Sequence, residues 1–145
     1  MERIVVDLSR HGGDSITVVQ MTPEEIAAIP IPPPLTQAEL KAFAADKRWR
    51  VETGGIVRLG MPIPTDDRAK LLLLGASSGM ADADTAPYNV GTSSVTLTGA
   101  QYKALYAAIF AHVQACMARQ VEIMAAIDAG TITTTAQIEA ATWPA

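Results

Sequence analysis

The chain has 145 residues, 49% hydrophobic but only 5% aromatic, so it can bury a core that depends more on close helix contacts than on large rings. Its formal net charge of −4 argues against a nucleic-acid partner, because such a partner selects a basic face. The single cysteine, Cys116, excludes an internal disulfide, and no apolar run reaches the roughly 20 residues of a membrane span. The N-terminus lacks the apolar core of a signal peptide, so we expect a protein made and kept in a cytoplasm, with no membrane partner.

Two β-branched runs near the N-terminus, residues 4–8 and 16–20, flank a segment with glycine and aspartate that can turn the chain. They predict a small β-hairpin. Two strands alone are marginal in water, so this hairpin is expected to lie on the rest of the chain, on a second copy or on another protein. The candidate docking residues of this arm are Ile4, Val6, Leu8, Ile16 and Val18.

Four helix starts are marked by a threonine followed three residues later by Glu or Gln, which is the capping-box pattern. The pairs are Thr22/Glu25, Thr36/Glu39, Thr98/Gln101 and Thr134/Gln137. Between the first two pairs, the prolines of residues 29–35 forbid a helix and favour a stiff extended strap, with a PxxP ligand as the functional alternative. The strap separates an N-terminal part, residues 1–35, from a helical body, residues 36–145.

The body is predicted to begin with two helices joined by a hairpin. The first helix spans about residues 37–52 and ends before Gly54 and Gly55, which favour the left-handed geometry of a helix end. The next helix begins at Thr65 or Asp66 and continues to about residue 78, with acidic side chains at its positive N-terminal end.

Residues 56–59 and 61–64 are predicted to form the two strands of that hairpin, around Gly60. Pro62 and Pro64 lack an N–H, so the second strand can pair on one side only. Such a protected edge suits a docking or orienting feature. The candidate docking residues here are Ile56, Leu59, Gly60, Met61 and Pro62.

A loop over residues 79–94 and a short strand to Leu97 lead into a long helix at residues 98–129, about 45 Å in length. Its apolar residues extend beyond one amphipathic face, so the helix needs cover on several sides. The residues predicted to be buried are Leu105, Ile109, Val113 and Cys116. A short helix over residues 135–141 follows, and Trp143 is a candidate anchor or docking residue.

The predicted fold class is therefore α+β and mainly helical. It comprises a short N-terminal β-hairpin, a Pro-rich strap, a helix–hairpin–helix unit, one long helix and a short C-terminal helix. Candidate chemistry is sparse. His112 and Cys116 are four residues apart on the long helix and could ligate one metal, but no second pair exists, so a packed histidine and a buried thiol are favoured.

Two further patterns are incomplete. Asp82 and Asp84 resemble the start of a calcium loop without its glycine and final glutamate, which favours a solvated turn. Ser77, Ser78 and His11 are ingredients of a hydrolase, but no nucleophile elbow, P-loop or dinucleotide fingerprint is present in the sequence. We expect no catalytic residue, no metal and no cofactor. A small metal-dependent or hydrolytic enzyme remains the third hypothesis.

The body also carries a distinctive succession of short motifs. They are Arg48-Trp49, Glu52-Thr53-Gly54-Gly55-Ile56, Gly60, Pro62-Ile63, Thr65-Asp66-Asp67-Arg68, Val95-Thr96-Leu97-Thr98, Ala100-Gln101 and His112-Val113-Gln114-Ala115-Cys116. Together they resemble an uncharacterised C-terminal domain family of tailed-phage and prophage tail-fibre and tail-fibre-assembly proteins, over about residues 42–145. Members of that family often carry Asn-Gly at the hairpin tip, where this chain has Leu59-Gly60, which leaves the turn type open.

The resemblance implies a phage tail protein with no family catalytic residues to transfer. One hypothesis is a tail-fibre-associated chaperone or adaptor that assists fibre folding and attachment by protein–protein docking. The alternative is a structural virion component of the tail fibre or baseplate. The implied partner is a tail-fibre or baseplate protein, with a homo-oligomer also open, and the implied location is the virion tail or the host cytoplasm during assembly.

Overall fold

The computed structural model describes residues 2–6, 16–20, 22–28 and 33–145. The chain divides into two units, Met1–Pro34 and Leu35–Ala145, and each is described here by itself. The fold class is α+β and mainly helical, as predicted. Among the described helices, none combines the length and the apolarity that crossing a bilayer would require.

The first unit contains two antiparallel strands, β1 (Glu2–Val6) and β2 (Ile16–Gln20), so the predicted strand pairing is confirmed. The register places Ile4 opposite Val18 and Val6 opposite Ile16. One helical turn, α1 (Pro23–Ala27), follows. The predicted docking residue Leu8 and residues 29–32 of the strap lie outside the described residues.

The second unit contains four helices and two hairpins among its described residues. In chain order they are α2 (Gln37–Glu52), β3 (Ile56–Arg58), β4 (Met61–Ile63), α3 (Asp67–Gly79), β5 (Thr85–Val90), β6 (Ser93–Thr98), α4 (Gly99–Asp128) and α5 (Thr135–Ala140). Strands β3 and β4 pair antiparallel, as do β5 and β6.

All four predicted capping boxes are present. In each, the threonine side chain accepts a hydrogen bond from the backbone N–H three residues later, and the Glu or Gln side chain accepts one from the threonine N–H. These reciprocal bonds satisfy N–H groups that a helix start would otherwise leave unpaired. They fix the starts of α1, α2, α4 and α5 where the sequence predicts them.

The hairpin of β3 and β4 turns at Leu59 and Gly60, whose φ angles are +53° and +73°. Two positive φ angles in a two-residue loop are the requirement of a type I′ turn. The turn type that the sequence left open is therefore the one that Asn-Gly would also form. Here a leucine occupies a left-handed position that glycine or asparagine adopts at lower cost.

Helix α4 is the spine of the second unit, with α2 antiparallel to its C-terminal half. Gln37, at the start of α2, donates to the Ile127 carbonyl at 3.3 Å, and Val51, near its end, accepts from His112 at 3.2 Å. Helix α3 packs against α4 as well, through Leu73. The two shorter helices thus follow one another along α4.

Two hydrophobic clusters lie along this spine. The first joins α3 and both hairpins to the N-terminal half of α4, through Ile56, Ile63, Leu73, Leu97, Tyr102, Leu105 and Ile109. The second joins α2 and α5 to the C-terminal half, through Leu40, Ala44, Ile123, Ile127 and Ile138. Leu105, Ile109 and Cys116 are buried as predicted. Val113 is only half-buried, because the buried ridge of α4 continues through His112 instead.

The segment predicted as a loop over residues 79–94 contains a strand, β5, which is a correction. Pro87 stands opposite Thr96 in the middle of this strand. It costs no ladder bond, because in this register the pair at Pro87 is a non-hydrogen-bonded one. The Tyr102 hydroxyl donates to the Pro87 carbonyl at 2.8 Å, which joins β5 to α4.

We expect Ile109→Ala to lower the free energy of unfolding by about 2–5 kcal/mol, because Ile109 is 1% exposed within the first cluster. The measurement is urea denaturation at one fixed protein concentration. Leu71→Ala is the control, since Leu71 is 69% exposed on α3, and it should change the value by no more than about 0.5 kcal/mol. A near-neutral Ile109→Ala would contradict the packing described here.

Candidate functional site

A buried carboxylate lies at the point where α2 ends. Glu52, the last residue of α2, is 3% exposed. Its Oε1 accepts a hydrogen bond from Lys70 Nζ at 2.6 Å, and its Oε2 forms an ion pair with Arg48 one turn earlier. Burying a carboxylate is costly unless it is paired and hydrogen-bonded. Because Lys70 belongs to α3, this pairing ties α3 to the end of α2.

The two cations of the cluster share one aromatic neighbour. Lys70 Nζ lies 5.6 Å from the centre of the Trp49 ring, and the Arg48 guanidinium lies 5.9 Å from it. Burial by itself lowers the pKa of Lys70, but the hydrogen bond and the negative charge of Glu52 outweigh it, so that the pKa is raised. Lys70 is therefore a firmly held cation beside a half-exposed indole.

Thr65 closes the base of the β3–β4 hairpin directly behind this carboxylate. Its hydroxyl donates to the Glu52 carbonyl at 2.6 Å and accepts from the Gly55 N–H at 2.9 Å, and the residue is fully buried. The next residue, Asp66, caps α3 by accepting from the Ala69 N–H at 3.0 Å. The motifs from Glu52 to Asp66 thus build one junction, in which the helix end, the hairpin base and the next helix start are joined.

His112 and Cys116 are buried beside this junction. His112 Nε2 lies 3.2 Å from the Val51 carbonyl and 3.7 Å from Cys116 Sγ. The carbonyl only accepts, so Nε2 carries the proton in this arrangement. Burial raises the pKa of the Cys116 thiol, whereas a nucleophilic cysteine needs its pKa lowered. Within the described residues, no group of three or more His, Cys, Asp or Glu side chains is placed to hold a metal ion.

The predicted docking residues of the hairpin divide between core and surface. Ile56 is 4% exposed in the first cluster, and Met61 packs against that cluster half-buried, so neither side chain is displayed. Leu59 is 59% exposed at the tip, and Gly60 and Pro62 are exposed next to it. The pattern missed Val57, which is 66% exposed opposite Pro62. Strand alternation could have found it, because Val57 lies on the face opposite to Ile56.

The predicted residue Trp143 is an internal anchor. It is half-buried against the second cluster, and its Nε1 donates to the Ile138 carbonyl at 3.0 Å. Lys47 and Arg50 of α2 pair with Glu139 of α5 at 2.5 and 2.7 Å, and these bonds lower the pKa of the Glu139 carboxyl. Together these contacts hold the C-terminal segment on α2.

The hairpin flank also borders an open groove of about 650 Å³. Its lining includes Gly55, Val57, Pro62, Pro64 and Val90. Backbone and apolar side chains predominate there, which suits an apolar segment of a partner better than a charged metabolite.

The fold and this junction define a small α+β module organised around one long helix, with a displayed hairpin. The chain matches the model of a domain family of unknown function, DUF4376, over residues 36–142. It therefore belongs to the DUF4376 family. Comparison with curated proteins finds no match. Comparison with solved structures finds none either.

The ion pair between Glu52 and Lys70 was missed by sequence reasoning. The two residues are 18 positions apart, and the β3–β4 hairpin lies between them. Neither the helical nor the strand period predicts the length of this hairpin. The signal that was available is the charge pattern itself: a glutamate at a helix C-terminus is unfavourable to the helix dipole, so a compensating cation should be sought.

We expect Glu52→Gln to lower the free energy of unfolding by about 2–4 kcal/mol, because it leaves Lys70 and Arg48 partly buried without their anion. Chemical denaturation at pH 7 measures this. The pKa of Lys70 is raised, so its stabilising contribution is complete below about pH 10 and is lost only as the pH rises further.

Asp46→Asn is the matched control for Glu52→Gln. Asp46 and Arg50 form an ion pair at the same four-residue spacing on the same helix, but Asp46 is 62% exposed. The control should change the free energy of unfolding by less than about 1 kcal/mol. Equal effects of the two substitutions would show that the burial of Glu52 does not matter.

Proposed function

We propose that this protein assists the folding or attachment of a phage tail fibre by docking to it through the tip of the β3–β4 hairpin. The class of partner is supported by the motif resemblance set out above, whose most specific block includes this hairpin. The docking surface is supported by the geometry of the hairpin. The protein acts in the host cytoplasm during assembly, with a tail-fibre protein as its partner.

The observation that carries the proposal is the conformation of Leu59. Its φ of +53° costs a leucine on the order of 1 kcal/mol relative to glycine, and asparagine is also better tolerated there. The side chain is 59% exposed, so it gains little from burial. A strained residue whose side chain the fold does not use is accounted for by contact with a partner.

The neighbours of Leu59 give the tip its apolar character. Val57 is 66% exposed and stands opposite Pro62 across the hairpin. Pro62 and Pro64 supply no N–H to the outer edge of β4, so the edge offers few donors for a further strand. A partner therefore meets side chains at this tip, and specificity depends on the shapes of Val57, Leu59 and Pro62.

A retained structural component of the fibre or baseplate is the second candidate. It is favoured by the first unit, where β1 and β2 form a two-stranded antiparallel sheet within the part of the unit that the structure describes. A strand added by a partner would complete such a sheet and give a long-lived attachment. Mass spectrometry of purified virions distinguishes the two: fibre-like copy number supports the structural component, and absence supports an assembly factor.

We expect Leu59→Asn to raise the free energy of unfolding by about 0.5–1 kcal/mol, because asparagine tolerates positive φ. The same change should weaken co-purification with the tail fibre at least tenfold, since it removes the apolar contact. The two readouts are urea denaturation and quantitative affinity capture. Opposite signs for stability and binding are the mark of a residue kept for a partner.

Leu71→Asn is the control, because Leu71 is at least as exposed as Leu59 and lies on α3, away from the tip. Fibre capture should be unchanged in this variant. Unaltered capture by the Leu59→Asn protein would sink the docking proposal, whatever its effect on stability.

We expect deletion of residues 1–21 to abolish any attachment made through β1 and β2 while the melting temperature of the second unit changes little. The reason is that the second unit has its own two clusters, formed by residues 40–138. Differential scanning calorimetry and fibre capture are the measurements. A large fall in melting temperature would instead show that the arm belongs to the core of the protein.

A further inference from the structure

Helix α4 has an outer side that the rest of the second unit does not cover. Its buried ridge contacts α2, α3 and the hairpins through Leu105, Ile109 and Ile123. On another side, Phe110, Met117 and Val121 are 56%, 45% and 67% exposed. Large apolar side chains recur here in a row along one helix, which scattered surface residues do not do.

This outer side has a regular spacing of 4-3-4-3-4-3-4 residues. The series, called the outer seam below, is Lys103, Ala107, Phe110, Gln114, Met117, Val121, Met124 and Asp128. Alternation of three and four residues is the spacing of a coiled-coil contact, in which each side chain enters a gap on a facing helix. The six inner members are uncharged, and the two end members carry opposite charges.

The residues along one flank of the outer seam are small. The position after every second seam residue is alanine, at Ala104, Ala111, Ala118 and Ala125, and all four are exposed. In solvent-facing helices these flanking positions usually carry charge. For comparison, the exposed positions of α2 include Glu39, Asp46 and Arg50. This alanine flank allows another helix to approach closely from that side of the outer seam.

We propose that the outer seam pairs with the outer seam of a second copy of this chain, with the two α4 helices antiparallel. The chain carries a formal net charge of −4, so two copies repel one another over most of their surfaces. The six inner members of the outer seam, from Ala107 to Met124, are uncharged, so they can meet without placing like charges together. This choice of occupant rests on charge, spacing and flank size.

The charged ends select the antiparallel orientation. With antiparallel helices, Lys103 of one copy lies opposite Asp128 of the other, and the same pair recurs at the opposite end. Parallel helices would instead place Lys103 against Lys103 and Asp128 against Asp128. In the antiparallel register Phe110 faces Val121, and Ala107 faces Met124. The Lys103–Asp82 and Lys41–Asp128 pairs within one copy are solvent-exposed and leave both charges accessible.

Sedimentation equilibrium of the full chain from about 1 to 100 μM should show a monomer–dimer equilibrium. Met117→Glu should weaken dimerisation at least tenfold, because it places two like charges at the middle of the contact. Leu71→Glu introduces the same charge at an exposed leucine of α3 and should leave dimerisation unchanged. Circular dichroism confirms that each variant is folded. A wild-type monomer at 100 μM, or a trimer, overturns the proposal.

Cross-linking tests the orientation independently of any disruptive substitution. Proteins carrying Ala104→Cys or Ala125→Cys, when mixed, should be joined by a short bismaleimide. Neither alone should link to itself, because antiparallel copies separate identical positions by about 30 Å. The native Cys116 is fully buried and is retained. Self-linking of the single variants would show a parallel pair and overturn the antiparallel assignment.

A charge exchange supplies the last control. Lys103→Asp alone should weaken the dimer, and so should Asp128→Lys alone, because each leaves like charges opposite one another at both ends. The doubly substituted protein restores opposite charges and should regain wild-type dimerisation. Failure of the double variant to recover, with a folded protein, would contradict the register.

Discussion

The second unit depends on one constraint, which is that the chain must leave α2 and enter α3 while both helices stay on the same long helix. Fourteen residues, 53–66, separate the two helices. The Thr65 hydroxyl holds the hairpin base to the Glu52 carbonyl, and the Glu52 carboxylate holds Lys70 on α3. Both bonds come from one residue, through its backbone and its side chain. Loss of the Glu52 ion pair therefore weakens the packing of α3 relative to α2, which is a larger effect than the loss of one surface contact.

The same junction divides α4 into three zones. The buried apolar residues of α4 up to Ile109 belong to the first cluster, and Ile123 and Ile127 belong to the second. Between them lies a polar zone, in which His112 contacts the Val51 carbonyl and Cys116 contacts His112. A helix of alanines and aliphatic residues would allow its neighbours to slide by a turn at small cost. Such a slide would separate the buried His112 from the Val51 carbonyl and leave its ring N–H without a hydrogen bond. The cost of that unsatisfied group sets the register of α2 on α4.

The elements of this fold that depend on residues close together in the chain could be predicted from the sequence. Those that depend on contacts between distant residues could not. The capping threonines fixed four helix starts, because each pattern is completed within four residues. Strand β5 was not predicted, because Pro87 and Asn89 are residues typical of turns and the strand depends on its pairing with β6. The need for glycine at position 99 was not predicted either. A β-carbon there would lie 2.0 Å from the carbonyl oxygen of Ala81, which is 18 residues earlier in the chain. The junction at Glu52 was not predicted, although its motifs were identified, because it depends on contacts with residues as far along the chain as Lys70.

What the fold does not account for is as informative as what it does. The buried positions are explained by the two clusters and by the polar contacts between them. Val57 and Leu59 on the β3–β4 hairpin, and Phe110 and Met117 on α4, are exposed and contribute little to either cluster. These two exposed groups occupy different places, because the hairpin packs through Ile56 and Ile63 onto the buried ridge of α4, away from its outer seam. Pairing through the outer seam would therefore leave the β3–β4 hairpin of each copy accessible to a partner. Because antiparallel helices reverse direction, the β3–β4 hairpins of the two copies would lie toward opposite ends of the assembly. If both tips docked to one partner, as proposed above, they would gain in effective concentration what each lacks in contact area.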